Sequence, residues 1–130
     1  MSVGVLLITH PGIGNALLNG ARRIVVDCPL RTMCLEVPLD ARIDKLATQA
    51  AEMTQRLDDG EGVLVLTDIF GATPNNIARG LEQDAHVAVL AGLSLPMLVR
   101  LFNYPDNDLQ ELCKTATLGA QRGIGSCEEP

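Results

Sequence analysis

Three short aliphatic runs constrain the fold more than any other feature of the chain: VGVLLI at residues 3–8, GVLVLTD at 62–68 and HVAVLAGL at 86–93. A strand with one face in water alternates apolar and polar side chains, and these runs do not alternate. They read instead as strands covered on both faces, the pattern of a parallel sheet. A weaker candidate, TMCLEV at 32–37, is stopped by Pro38.

Helical patterns fill the intervals. Leu17, Ala21, Ile24 and Val25 recur at spacings of three and four after a glycine loop. From Asp40 onward, Ile43, Leu46, Ala47, Ala50, Met53 and Leu57 make one apolar stripe, with Asp44, Lys45, Glu52 and Arg56 off it. TPNNIARGLE starts a third helix, with Thr73 expected as N-cap and Pro74 at the first helical position. PMLVRLF and NDLQELCKTATLGAQ give two more. The order β-α-β-α-β-α-β-α-α predicts a doubly wound, mainly parallel α/β fold with helices on both faces of the sheet, three layers in all. With 130 residues and neither an internal repeat nor an interdomain linker, residues 1–130 read as one domain. RGIGSCEEP reads as a short, poorly anchored tail from about residue 122.

Composition removes several classes of function. Aromatic residues are 2% of the chain, too few for the stacking platforms of a single-strand nucleic-acid binder. A net charge of −6 argues further against a phosphate backbone as partner and favours a basic protein surface. The longest apolar runs are too short to span a bilayer, and no secretory leader opens the sequence, so the expectation is a cytoplasmic protein without membrane insertion. Cys28, Cys34, Cys113 and Cys127 form no CxxC and have no histidine at zinc-ligand spacing. They read as reduced thiols, with Cys34 packed inside a strand, and neither a metal nor a cofactor is expected.

Ligands of such sheets bind beyond the carboxyl ends of the strands, near the point where strand order reverses. The first strand delivers Thr9 and His10 there, the third Thr67 and Asp68, and the fourth Gly92 and Ser94 ahead of Pro96. A carboxylate that accepts from one ring nitrogen of a histidine fixes its tautomer and leaves the other nitrogen free to attack an electrophile. His10 could then serve as general base or as nucleophile. No GxSxG serine and no neighbouring cysteine offer themselves to a base. GATP, by contrast, places Thr73 and the backbone N–H groups of Gly71 and Ala72 at a helix start, where an anion is favoured, and HPGIGN leads into a second helix. Histidine, aspartate and two helix starts together suit a phosphohistidine site.

Alone, each piece has an ordinary reading. His10 could be a turn residue, Asp68 a turn cap, and GATP a plain helix start. Gly12 and Gly14 give GxG without the rest of a dinucleotide fingerprint, and there is no GK[ST]. His86, with no carboxylate-bearing motif around it, reads as a structural or surface residue. Arg22 and Arg23 read as a solvated helix face.

GVLLITHPGIGNALL, GVLVLTDIFGATPNNIA and VLAGLSLPML, in this order and spacing, resemble the mannose-type IIA domain of the bacterial sugar phosphotransferase system. The resemblance covers nearly the whole chain, and TDIFGATPNN is its most specific part. It implies that His10 takes a phosphoryl group from the phosphocarrier HPr and passes it to a IIB partner, with Asp68 orienting the ring so that Nε2 attacks. It places Thr73 at the phosphate-binding turn, gives Gly71 and Asn76 positions in the same block, and makes Ser94, Pro96 and Met97 the site lining from strand four, with Thr9 beside the histidine. It also implies a homodimer. Ile69 and Phe70 stand where several transporter members carry Thr and Trp. Neither a fused IIB domain nor an Ala/Pro-rich linker follows within these residues, so the implied role is phosphate relay, for sugar uptake or for regulation, rather than transport of a named sugar. A related subunit works with dihydroxyacetone kinase, but its second motif lacks the GATP stretch. Two rivals remain at this level: a regulatory protein that binds according to phosphorylation state without onward transfer, and a small nucleotide- or flavin-binding α/β protein.

Overall fold

The computed structural model describes residues 2–127. Four strands, β1 (Gly4–Thr9), β2 (Thr32–Glu36), β3 (Val63–Thr67) and β4 (Val87–Ala91), form one sheet in the order β2-β1-β3-β4. Every pairing is parallel: Val5 lies opposite Thr32 and Leu64, and Val65 opposite Val89. The helices are α1 (Gly14–Ile24), α2 (Ile43–Leu57), α3 (Thr73–Arg79), α4 (Leu95–Phe102) and α5 (Leu109–Arg122), and a 3-10 turn at Gly80–Gln83 follows α3. This is the doubly wound α/β order expected from the sequence.

Two apolar cores explain why the central strands do not alternate. Val5, Leu7, Leu64 and Leu66 face Leu18 and Ala21 of α1, Met97, Leu98 and Leu101 of α4, and Leu112 and Ala116 of α5. Leu6, Ile8, Val63 and Val65 face Leu46, Ala50, Met53 and Leu57 of α2, with Ile77 and Ala78 of α3. Every residue of β1 and β3 is buried, and each fully buried Leu or Ile contributes about 1.5–3 kcal/mol. β2 and β4 are the sheet edges and only partly buried, so β2 carries the weaker sequence signal.

Some local expectations shift. In α1 Gly14, Leu18 and Ala21 are buried and Leu17 packs against the same core, as does Val25 just after the helix, while Ile24 is exposed. Ile43 is the first residue of α2 and lies exposed, ahead of the part that reaches the sheet. Ala72, not Thr73, is the N-cap of α3, and Pro74 is its second residue; no side chain caps this helix start. At the start of the expected tail Gly123 is held, while residues 124–127 are exposed. Gly123 N–H donates to the Gly119 carbonyl, and Gly123 packs against Pro96 so closely that no Cβ would fit. The end of the expected tail, residues 128–130, lies outside the described residues.

Candidate active site

From β1 the chain crosses to β2 on one side, and from β2 it returns to β3 on the other. The carboxyl ends of β1 and β3 therefore flank the switch point, where the departing loops diverge and leave a crevice. His10 is the first residue after β1, and Asp68 the first after β3. One oxygen of Asp68, Oδ2, accepts the backbone N–H of His10 at 2.9 Å and lies 2.7 Å from its ring Nδ1. Oδ1 accepts the Ile69 N–H at 3.1 Å. A carboxylate facing Nδ1 stabilises the tautomer with its proton on that nitrogen, which leaves the Nε2 lone pair free. The imidazole is 34% exposed and the carboxylate 9%, so the ring is reachable while its anchor is not. Burial alone would raise the Asp68 carboxyl, but the hydrogen bonds from the His10 backbone and ring, together with the ring's charge, hold it below the usual range.

The loop from His10 into α1 is tied down twice more. Thr9, fully buried, accepts the Gly14 N–H at 2.9 Å and donates to the His10 carbonyl at 2.9 Å. Gly14 is required by proximity: a Cβ there would strike Cys34 Sγ and sit 2.9 Å from Thr9 Oγ1. Glu36, at the end of β2 and opposite Thr9, accepts from Gly12 N–H at 3.0 Å and from Asn15 N–H at 3.1 Å. These two bonds hold its carboxyl below the ordinary value. The start of α1 thus already holds an anion, a carboxylate from the chain itself, on two of its amides.

That second loop is organised by Asn75. It is 2% exposed, donates to Thr67 Oγ1 at 3.1 Å and accepts the Gly71 N–H at 2.9 Å. The pull on Gly71 bends the chain at a φ of +85°, which glycine adopts without strain. The Ala72 N–H turns toward the Ile69 carbonyl at 3.5 Å. The amides of Gly71 and Ala72, expected as phosphate donors, are therefore directed into the loop, and among the described residues those of Phe70 and Thr73 have no acceptor. Thr73 is exposed with its hydroxyl unengaged, and Asn76 is exposed without a side-chain hydrogen bond.

The residues expected from strand four stand farther off. β4 neighbours β3 only, so its end is two strand spacings from His10, roughly 10 Å. Ser94 caps α4 by accepting from Met97 N–H at 3.3 Å, and Met97 is buried in the core rather than lining the site. Pro96 packs under Gly119 and Gly123. His86, expected to lack carboxylate neighbours, has two: Asp84 accepts its backbone N–H at 2.9 Å, and Asp58 Oδ2 lies 3.7 Å from its Nδ1. It precedes β4, at the amino ends of the strands, whereas His10 lies at their carboxyl ends. Arg22 and Arg23 are exposed, as expected. Among the described residues no cluster of three His, Cys, Asp or Glu side chains could hold a metal ion, and no helix is long and apolar enough to cross a membrane.

Residues 4–117 match the family described as PTS system fructose IIA component. The chain belongs to this family. The mannose-specific EIIAB component of the sugar phosphotransferase system of Escherichia coli K12 is 29% identical over 130 residues, 95% of this chain and 39% of that protein. The IIA chain thus spans about two-fifths of the length of that curated relative. Among solved structures, the mannose/sorbose-specific IIA subunit from Enterococcus faecalis shares the fold at a TM-score of 0.86 and 21% identity, over 100% of this chain and 98% of that one. The PTS IIA protein associated with the fucose utilization operon of Streptococcus pneumoniae superposes at 0.80 with 26% identity, over 97% and 96%. Membership carries a phosphotransfer role in the sugar phosphotransferase system.

Sequence reasoning missed two residues of this IIA site, Glu36 and Asn75. The sequence placed Glu36 at the carboxyl end of β2, on the ligand side of the sheet, without showing which groups it would meet. For Asn75 the sequence offered two adjacent asparagines, and only the pitch of α3 decides which one faces the sheet.

Proposed function

We propose that this IIA chain is a histidine phosphocarrier that takes a phosphoryl group from phospho-HPr onto His10 Nε2 and yields it to a IIB-type acceptor. The observation that carries this reading is the double engagement of Asp68 Oδ2 by the His10 backbone and ring at the switch point of the sheet. Nε2 of the neutral ring attacks phosphorus in line. The new P–N bond forms as the bond to the donor's nitrogen breaks, and the donor imidazole leaves with that electron pair. The His10 ring keeps its Nδ1 proton and becomes cationic, and Asp68 stabilises that charge. Positioning and charge stabilisation dominate such transfers. The unengaged amides of Phe70 and Thr73 and the Thr73 hydroxyl are the donors available to the transferring oxygens. Onward transfer reverses these steps toward the acceptor, and no proton has to be stored in between.

The reading implies cytoplasmic carriers as partners. It also includes a homodimer, for which β4 offers a half-exposed apolar edge through Ala88, Val89 and Leu90. Incubation with phosphoenolpyruvate, enzyme I and HPr is expected to label His10, and a IIB-type acceptor is expected to discharge it. Equal labelling of wild type and His10→Ala overturns the assignment. Stable labelling that no acceptor discharges favours a phosphorylation-dependent regulator instead.

A further inference from the structure

The carboxylate of Glu36 is an unexpected group to find beside a phosphoryl site. It reaches from the end of β2 across to the turn that follows His10, and both of its oxygens are used: Oε1 on the Gly12 N–H and Oε2 on the Asn15 N–H. The two amides belong to the first turn of α1 and the loop before it, where the helix dipole presents positive potential. Gly12 is two residues beyond the histidine and has a φ of +80°, so the carboxylate also holds a turn that depends on glycine. Two further donors nearby are engaged: Gly14 N–H goes to Thr9, and His10 N–H to Asp68.

We propose that Glu36 is a positioning residue for His10, one that fixes the His10–Asn15 turn and places a permanent negative charge at the start of α1. Resting on the phosphocarrier reading, this gives the charge a purpose. A carrier must release what it accepts, so the phosphorylated and free forms need to lie close in free energy. Bare amides and an uncompensated helix start two residues from the phosphoryl group would hold it too well. Glu36 neutralises that potential and repels the phosphoryl oxygens, keeping phosphorylated His10 a good donor. The phosphoryl oxygens are left to the loop after β3.

Two variants separate charge from fit. Glu36→Gln keeps the size, removes the charge and leaves one oxygen to accept from one of the two amides, whereas Glu36→Asp keeps the charge and both acceptors and is one methylene shorter. Each is mixed with phospho-HPr, and both phosphorylated species are quantified at equilibrium; amide hydrogen exchange at Gly12 and Asn15 is measured alongside. Glu36→Gln is expected to move the equilibrium toward the phosphorylated chain by about two- to fivefold, the range commanded by one charge at a helix start. Glu36→Asp is expected to retain the wild-type equilibrium while exchange at the two amides quickens. A purely structural role would slow transfer in both directions and leave the equilibrium unmoved, and that result overturns the inference. An equal shift in both variants also overturns it, since charge would not be the cause. Wild-type chain that takes no label on His10 overturns the phosphocarrier reading and this inference with it, whereas normal labelling with an unmoved equilibrium overturns this inference alone.

Discussion

Asp68→Asn replaces the anchor of the His10 ring with a group of nearly the same shape and no charge. In the wild type one oxygen serves both the backbone N–H at 2.9 Å and the ring at 2.7 Å. An asparagine oxygen can still accept both bonds from His10, although the bond from Ile69 N–H to Oδ1 is given up, so the His10 main chain is expected to hold its course and the protein to remain folded. What disappears is the charge opposite a ring that turns cationic during transfer. Hydrogen bonds to a charged partner contribute about 1.5–3 kcal/mol against about 0.5–1.5 kcal/mol for neutral ones. The carboxylate is 9% exposed, so water replaces little of the loss. If the whole of that difference, about 1–1.5 kcal/mol, is realised in the transition state, the transfer rate falls by roughly 5- to 13-fold. Rapid-quench measurement of phosphoryl uptake from phospho-HPr reads this directly, and ring nitrogen shifts report whether the proton still resides on Nδ1. A folded Asp68→Asn protein that transfers within about threefold of wild type would refute the reasoning, because no charge on the ring would then need compensation.

Three further perturbations follow from the same geometry. Asn75→Ala strands the buried Thr67 hydroxyl and releases the part-buried Gly71 N–H, with an expected cost of about 1–3 kcal/mol in urea unfolding and slower transfer at His10. Gly14→Ala forces a methyl into Cys34 and Thr9 and should cost about 1–3 kcal/mol, whereas Gly20→Ala in the same helix meets only Leu95 Cδ1 at 3.6 Å and should stabilise by about 0.5–1 kcal/mol; equal and small effects would contradict the packing described. The carboxyls of Glu36, Asp58 and Asp68 all titrate below their ordinary values of 4.5, 3.8 and 3.8. Depressed acids contribute stability that is complete above those values and is lost as pH falls through the lower folded-state ones. Stability is therefore expected to decline with acid below about pH 4.5, and Glu36→Gln to show a shallower decline than wild type in pH-dependent denaturation.

The sheet was legible because its two central strands are buried on both sides, and unbroken aliphatic runs have few other uses. The pairing of His10 with Asp68 was legible for a topological reason: reversal of strand order makes the ends of β1 and β3 neighbours, and each run ends in a residue with chemistry. Finer assignments failed where tertiary contacts outrank local pattern. Thr73 looks like an N-cap by residue type, yet Ala72 takes that place because Asn75 draws Gly71 inward and sets where the helix begins. Glu36 sits in an ordinary edge strand, and nothing in its surroundings along the chain announces two amides 21 and 24 residues away. Met97 belongs to a helix that was legible in the sequence, but the resemblance makes it site lining, and the pitch of α4 turns that side chain into the core.

Because Asp68 Oδ2 grips both the main chain and the ring of His10, the imidazole has few orientations left to sample before a partner arrives. The ordering entropy of that side chain is settled once, when the protein folds, rather than at every encounter. Under the proposed phosphocarrier role, a relay that charges and discharges many times gains most from such an arrangement. Each collision with a properly docked carrier would then meet a nucleophile already aimed, and turnover would be set by how often partners meet and part rather than by a search within the site.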